Sequence, residues 1–242
     1  MGKFSNWFKI KILKQDLRAR QLHPYIQNAI GQVVDDLGNF SSKCALSKKD
    51  IILFNEFGSD KDSRHSYGST YLALLNGRSK PSILEIGVGS KNKYPYAGNP
   101  PGGGLLTFRK YIPDALLIGA DIDPDAISIL QGYGIVGFVV DQTSKSSLEN
   151  LINELKGHGK FDLIIDDGLH EPHANVMTIL QLFDLIKIGG HYVVEDVHIS
   201  LINFWRLIAL NLPGQIEILN MSEKRKGTND NVLLVFHKSC SD

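Results

Sequence analysis

The stretch FDLIIDDGLHEP, residues 161–172, sets two carboxylates and an imidazole directly after an apolar run. Phe161, Leu163, Ile164 and Ile165 read as a strand buried on both faces. Asp166 and Asp167 end it, Gly168 follows, and His170 stands three residues beyond Asp167. Carboxylate oxygens and an imidazole nitrogen are groups that hold a hard cation or move a proton. A plainer account competes, because Asp-Gly is a turn signal and every strand must stop. A second stretch, HYVVEDV (191–197), ends in acids as well, Glu195 and Asp196. The fold that would hold these strand ends decides between the two accounts.

The chain of 242 residues, 43% hydrophobic, is long enough for one large domain, or a domain with an appendage. Lysine plus arginine number 26, as do aspartate plus glutamate, so no overall charge field points to nucleic acid. Cys44 and Cys240 lie far apart with no CxxC pair, which argues against a disulfide framework and a structural zinc site. No apolar run approaches the roughly 20 residues that span a bilayer. The start, MGKFSNWFKIKILKQ, has no small-residue cleavage site, and a cytoplasmic location is expected.

From Pro81 onward strands and helices alternate. PSILEIGVG, ALLIGADIDP, VGFVVDQT, FDLIIDD and HYVVEDV read as strands, separated by helical stretches. One helical reading, HANVMTILQLFDLIKIGG, runs up to HYVVEDV, and SLINFWRLIALNL follows as another helix. QIEILNM and NVLLVFHK close the chain as two strands around the polar turn SEKRKGTND. The expectation is an α/β, Rossmann-like, seven-stranded and mainly parallel sheet with an antiparallel last strand and helices on both faces. Ligands of such sheets sit at the carboxyl ends of strands, where the acids fall. Residues 1–75 read instead as a helical segment for oligomerisation, a lid or membrane proximity, and 76–242 as the main domain. Lys3, Lys9, Lys11, Lys14, Arg18 and Arg20 interleave with Trp7, Phe8, Ile10, Ile12 and Leu13. That pattern suits either an amphipathic helix on an anionic membrane surface or a helix packed on the domain or a second subunit.

LEIGVGS, residues 84–90, puts Glu85, Gly87 and Gly89 at the end of the first strand. Glycines there permit a tight turn and a close backbone approach to a ligand. Asn92 stands where a dinucleotide fingerprint needs its third glycine, which weakens a pyrophosphate reading. Glu85 suits a ligand bearing an ammonium group. In GADIDPDA, Asp121 at the strand end can accept both hydroxyls of a ribose, although Asp121 and Asp123 also read as turn residues before a helix. Asp141 and Gln142 end the third strand, where an adenine edge would lie or where the strand simply turns.

EIGVGS, GADIDP, VVDQ, FDLIIDDG and GGHYVVEDV, in this order, resemble the successive motifs of class I S-adenosylmethionine-dependent methyltransferases over about residues 80–238. The resemblance implies a glycine loop around the methionine part and an acid on the ribose. It assigns Tyr67, Glu85, Gly87, Gly89, Ser90, Asp121, Asp123, Asp141, Gln142 and Asp166 to the cofactor. Asp121 lies further from Glu85 than usual because of the loop SKNKYPYAGNPPGGG, a candidate lid. A narrower resemblance joins DDGLH and GGHYVVEDV to the DDGSH and VxED motifs of metal-dependent sugar O-methyltransferases of the macrolide type. FGSDKDSRHSYGSTY and GGGLLTFRKYIP are similar to further segments of that group. By position it implies Asp167, Glu195 and Asp196 as ligands of Mg2+ or another hard divalent cation, and His170 as general base. The expected partners are a sugar-containing acceptor and a second copy of the chain. Rival readings are a catechol-type O-methyltransferase, a cephalosporin hydroxylase-like protein, and a silent cofactor-binding partner.

Overall fold

The computed structural model describes residues 54–90, 101–221 and 229–239. The basic N-terminal helix, most of the 1–75 segment, Asn92, most of the proline- and glycine-rich loop and part of the last turn lie outside the described residues. Among the described residues no helix is long and apolar enough to cross a membrane.

Two short helices, α1 (Asp60–Ser63) and α2 (Gly68–Leu74), precede the sheet. Then come β1 (Ser82–Ile86), α3 (Gly103–Tyr111), β2 (Leu116–Asp121), α4 (Pro124–Gly132), β3 (Val136–Val139) and α5 (Lys145–Leu155). The second half holds β4 (Phe161–Asp166), α6 (Pro172–Leu182), β5 (Ile186–Val197), α7 (Ile202–Ala209), β6 (Gln215–Asn220) and β7 (Val232–His237). The sheet order is β3-β2-β1-β4-β5-β7-β6. β1 to β5 pair in parallel, and β7 runs antiparallel between β5 and β6. The order reverses direction between β1 and β4, the kind of switch point where open sheets leave a crevice.

Successive strand residues feed opposite layers, as the pleat demands. Leu84, Ile86, Ile164, Tyr192 and Val194 pack with Leu148, Leu151 and Leu155 of α5 and Ile179 and Leu182 of α6. Ile83, Leu163, Ile165, Val193 and Val235 pack on the other face with Tyr71 of α2, Leu105 and Phe108 of α3 and Leu130 of α4. A strand apolar on both faces is therefore required, and the unbroken runs in the sequence are its signature.

One boundary departs from expectation. The helix read through HANVMTILQLFDLIKIGG stops at Leu182, and IKIGG belongs to β5, which starts at Ile186. Ile186 is buried opposite Phe161, so strand pairing prevails over helical periodicity there.

Candidate active site at the strand ends

The sequence ends β4 in a turn that only particular residues permit. Asp167 N–H donates to Ile86 O at 2.8 Å, continuing the ladder one step past the strand. Gly87, at φ +87°, lies so close that a Cβ would run into the Asp167 carbonyl. A Cβ at Gly168 would run into the side chain of Gln142. His170 then takes φ +54°, before Pro172 starts α6. On the neighbouring strand, Val194 pairs with Leu234 and Val197 with Val232, so Glu195 and Asp196 oppose a single residue of β7. This is a β-bulge, and Asp196 in it also has φ +54°. Among the described residues, His170 and Asp196 are the non-glycine residues with positive φ. Such backbone costs on the order of 1–3 kcal/mol each and concentrates at functional sites.

These two strained turns bring three ligand atoms together. Asp167, His170 and Asp196 offer atoms that all lie within 4.8 Å of one another. His170 Nε2 is 3.8 Å from Asp167 Oδ1 and 4.0 Å from Asp196 Oδ2. The other oxygen of each carboxylate is held from outside the sheet. Lys61 Nζ donates to Asp167 Oδ2 at 2.7 Å, and Tyr67 Oη donates to Asp196 Oδ1 at 3.0 Å. His65 Nε2 lies 3.3 Å from the same Asp196 oxygen, its ring stacked on Tyr67. Each aspartate thus keeps one oxygen turned toward His170.

Glu195 is placed differently. It is 2% exposed, accepts from Lys61 Nζ at 2.7 Å and from Tyr71 Oη, and stands outside the Asp167–His170–Asp196 group. Burial, with Asp167 nearby, pushes the Glu195 carboxyl well above its ordinary range. Burial and Asp167 push Asp196 up to about 6, against the lowering pull of His65 and His170. Burial disfavours charge on Lys61, but Asp167, Glu195 and Glu85 together hold it well above the usual lysine range. Carboxylates outnumber cations at this mouth, and charged forms are expensive there.

The residues expected around a nucleoside divide into two groups. Glu85 is buried, pairs with Lys61 at 3.0 Å and leaves Oε2 without a partner, an acceptor suited to an ammonium. Gly89, at φ +88°, has open space where a Cβ would be. Asp121 accepts from Val88 N–H at 2.8 Å and Asp123 N–H at 2.9 Å, closing the glycine loop. Ser90 Oγ donates to Asp123, which caps α4 by accepting from Asp125 N–H. Asp141 accepts from Thr143 in a local turn. Gln142 and Asp166 face each other: Gln142 Nε2 donates to Asp166 Oδ1 at 2.6 Å, and Gln142 Oε1 accepts from Leu169 N–H at 2.9 Å. Tyr192 Oη adds a bond to Asp166, which has 0% exposure and a carboxyl raised by burial. Gln142 and Asp166 therefore brace the loop that carries Asp167 and His170. Tyr67 likewise spends its hydroxyl on Asp196. Lys61, His65 and Tyr71 received no role from the sequence, although they lie in the quoted FGSDKDSRHSYGSTY segment.

A switch-point crevice, a glycine loop after β1 and acids ending β2, β4 and β5 on a 3-2-1-4-5-7-6 sheet make up the class I S-adenosylmethionine-dependent methyltransferase fold. Solved structures share it. MycE methyltransferase from the mycinamycin biosynthetic pathway, in complex with Mg, SAH and mycinamycin VI, aligns with a TM-score of 0.53 at 21% identity, covering 84% of this chain and 54% of that one. No family model matches the chain. Among curated proteins it is similar to the 8-demethyl-8-α-L-rhamnosyl tetracenomycin-C 2′-O-methyltransferase of Streptomyces olivaceus, 34% identical over 146 residues. It is also similar to the mycinamicin VI 2″-O-methyltransferase of Micromonospora griseorubida, 36% identical over 117 residues. These stretches cover 59% and 48% of this chain, but only 36% and 27% of the two relatives. The chain thus matches about a third of the length of those proteins.

Proposed function

We propose that this chain is an S-adenosylmethionine-dependent, divalent-metal-dependent O-methyltransferase acting on a sugar hydroxyl. The observation that carries the reading is the convergence of Asp167, His170 and Asp196 beside the glycine loop, with strained backbone at two of the three. The carboxylates of Asp167 and Asp196 offer oxygen donors without sulfur, which suits magnesium or a similar hard ion and leaves the His170 imidazole for proton transfer. The names of the relatives, rhamnosyl and mycinamicin O-methyltransferases, support a sugar-bearing acceptor.

Asp167 Oδ1 and Asp196 Oδ2 are the oxygens free to hold the ion, and Glu195 joins them if it leaves Lys61. A divalent cation bound there would lower the pKa of an acceptor hydroxyl that is otherwise a poor nucleophile. His170, with a third of its side chain exposed, accepts the hydroxyl proton at Nε2. Glu85 takes the ammonium of the methionine moiety, and Asp121 takes the ribose hydroxyls once its backbone partners rearrange. Gln142 and Asp166 keep the β4 turn rigid, so that His170 stays in line with the incoming oxygen.

Calorimetric titration of Mg2+ into the chain saturated with S-adenosylhomocysteine, alongside Asp196→Asn, tests the metal. One saturable site in the wild type and none in the variant is the expected result. Transfer of a labelled methyl group to rhamnosylated acceptors, with catechols as the contrast, tests the acceptor. Methylation of catechols alone would overturn the sugar assignment.

A further inference from the structure

The segment that precedes the sheet brings a cation of its own to the cluster. Lys61 Nζ lies 3.0 Å from Glu85 Oε1, 2.7 Å from Asp167 Oδ2 and 2.7 Å from Glu195 Oε1, and the residue is 1% exposed. The ends of β1, β4 and β5 therefore converge on one ammonium. Its position is fixed from behind, because Asp62 accepts from Phe54 N–H at 2.9 Å and from Gly68 N–H at 3.0 Å and so folds the α1–α2 turn. One lysine against three carboxylates leaves the group short of positive charge, and Asp196 lies beyond them. Of the three carboxylates it holds, Glu195 at 2.7 Å and Glu85 at 3.0 Å are both absent from the open ligand group.

We propose that Lys61 is a resident cation that competes with the divalent ion for Asp167 and Glu195, and so sets how tightly this site holds metal. The inference rests on the metal-dependent reading above. Affinity for a hard cation follows the charge and number of its oxygen ligands. A fixed positive charge a few ångströms away opposes a divalent ion strongly where water is excluded. A lysine ammonium is a compact point charge on a flexible stem, so it can yield an oxygen without the sheet moving. Lys61 acts through the carboxylates, which makes it a positioning residue. A plainer role, a pin joining the α1–α2 segment to the sheet, predicts the opposite effect on metal: without the pin the carboxylates loosen and binding weakens.

Titration of Mn2+ into the full chain with S-adenosylhomocysteine present distinguishes the two. Lys61→Met is expected to bind Mn2+ at least about tenfold more tightly than the wild type, and Lys61→Arg within about threefold of it. The double variant Lys61→Met with Glu195→Gln, which restores the original charge balance, is expected to return to within about threefold of wild type. Should Lys61→Met fail to fold, the double variant is compared with Glu195→Gln alone, and the lysine change is again expected to tighten binding at least about tenfold. Unchanged or weaker binding on losing the lysine overturns the inference while leaving the metal site standing. Absence of Mn2+ binding in every chain, wild type included, overturns the metal-dependent reading and the inference with it.

Discussion

Strand β4 carries buried acids at both ends, and the two ends behave in opposite ways. At its start, Asp162 is 4% exposed and accepts from Lys187 Nζ at 2.7 Å, Ser82 N–H at 2.8 Å, Ser82 Oγ at 3.1 Å and Arg78. Burial works against its charge, yet the bonds from Lys187 and Ser82 bring its carboxyl below the ordinary range. At the other end, Asp167 shares one lysine with Glu85 and Glu195, and Glu85, Glu195 and Asp196 are all pushed upward. Left-handed non-glycine backbone occurs only at this second end among the described residues. The first acid is neutralised by cations that reach solvent, and it joins β4 to Arg78 and Lys187. The second group is left undersupplied with positive charge and held in strain, the condition of a site that waits for something to bind.

Replacing His170 gives the sharpest contrast between the two ends. His170→Gly removes the proposed proton acceptor, and kcat is expected to fall about 10²–10⁴-fold. The same change relieves a left-handed backbone that glycine adopts freely, so stability should rise by roughly 0.5–1 kcal/mol. Loss of function with gain of stability is what strain stored for catalysis predicts. Denaturant unfolding alongside steady-state kinetics reads both numbers. Retention of kcat within tenfold, or a stability loss, would break the assignment.

Asp162→Asn is expected to invert that pattern. It removes charge-assisted bonds from Lys187 and Arg78, worth about 2 kcal/mol in all given how exposed those partners are. Turnover per folded molecule should stay within about twofold, since the change lies at the far end of the strand. A large fall in kcat without a fall in stability would show that the two ends are coupled through β4.

Much of this contrast was legible beforehand, and the gaps have physical causes. Apolar runs buried on both faces announced β1, β2 and β4, and acids at their ends announced where a site would lie. The sequence offers no local sign of the bulge at Glu195–Asp196, because it depends on which residues of β7 lie opposite. Lys61 meets its carboxylates across 106 and 134 residues of chain, a separation that no spacing rule covers. Its place after the third strand points Gln142 toward an adenine, and the family resemblance points Asp166 toward the cofactor. Gln142 follows β3 and Asp166 ends β4, strands separated only by β1 and β2, which lets the two side chains bond to each other.

The smallest expected effect concerns a histidine near the balanced end. His191 stands against His237, ring centroids 4.9 Å apart, with its Nδ1 buried and unpartnered. Burial, then the neighbouring His237 and Arg78, depress its pKa from 6.5 to about 4. An unfolded chain would take up the proton near 6.5, whereas the folded chain resists until about 4. The unfolded state therefore binds more protons across that window, and stability falls as pH drops through it and is fully present above it. The loss should be on the order of 2 kcal/mol by pH 4. Asp162, held ionised by Lys187 and Ser82, loses its stabilising contribution mainly as pH falls from the ordinary aspartate value of 3.8 toward its own depressed value, so the two contributions separate on the pH axis. Relative to the wild type, His191→Phe should lose the His191-linked fall in unfolding free energy between pH 6.5 and 4 while leaving the more acidic part of the curve unchanged. A variant curve parallel to the wild type throughout would mean that His191 is hydrated in the folded chain. The acid sensitivity of this end would then belong to Asp162 alone.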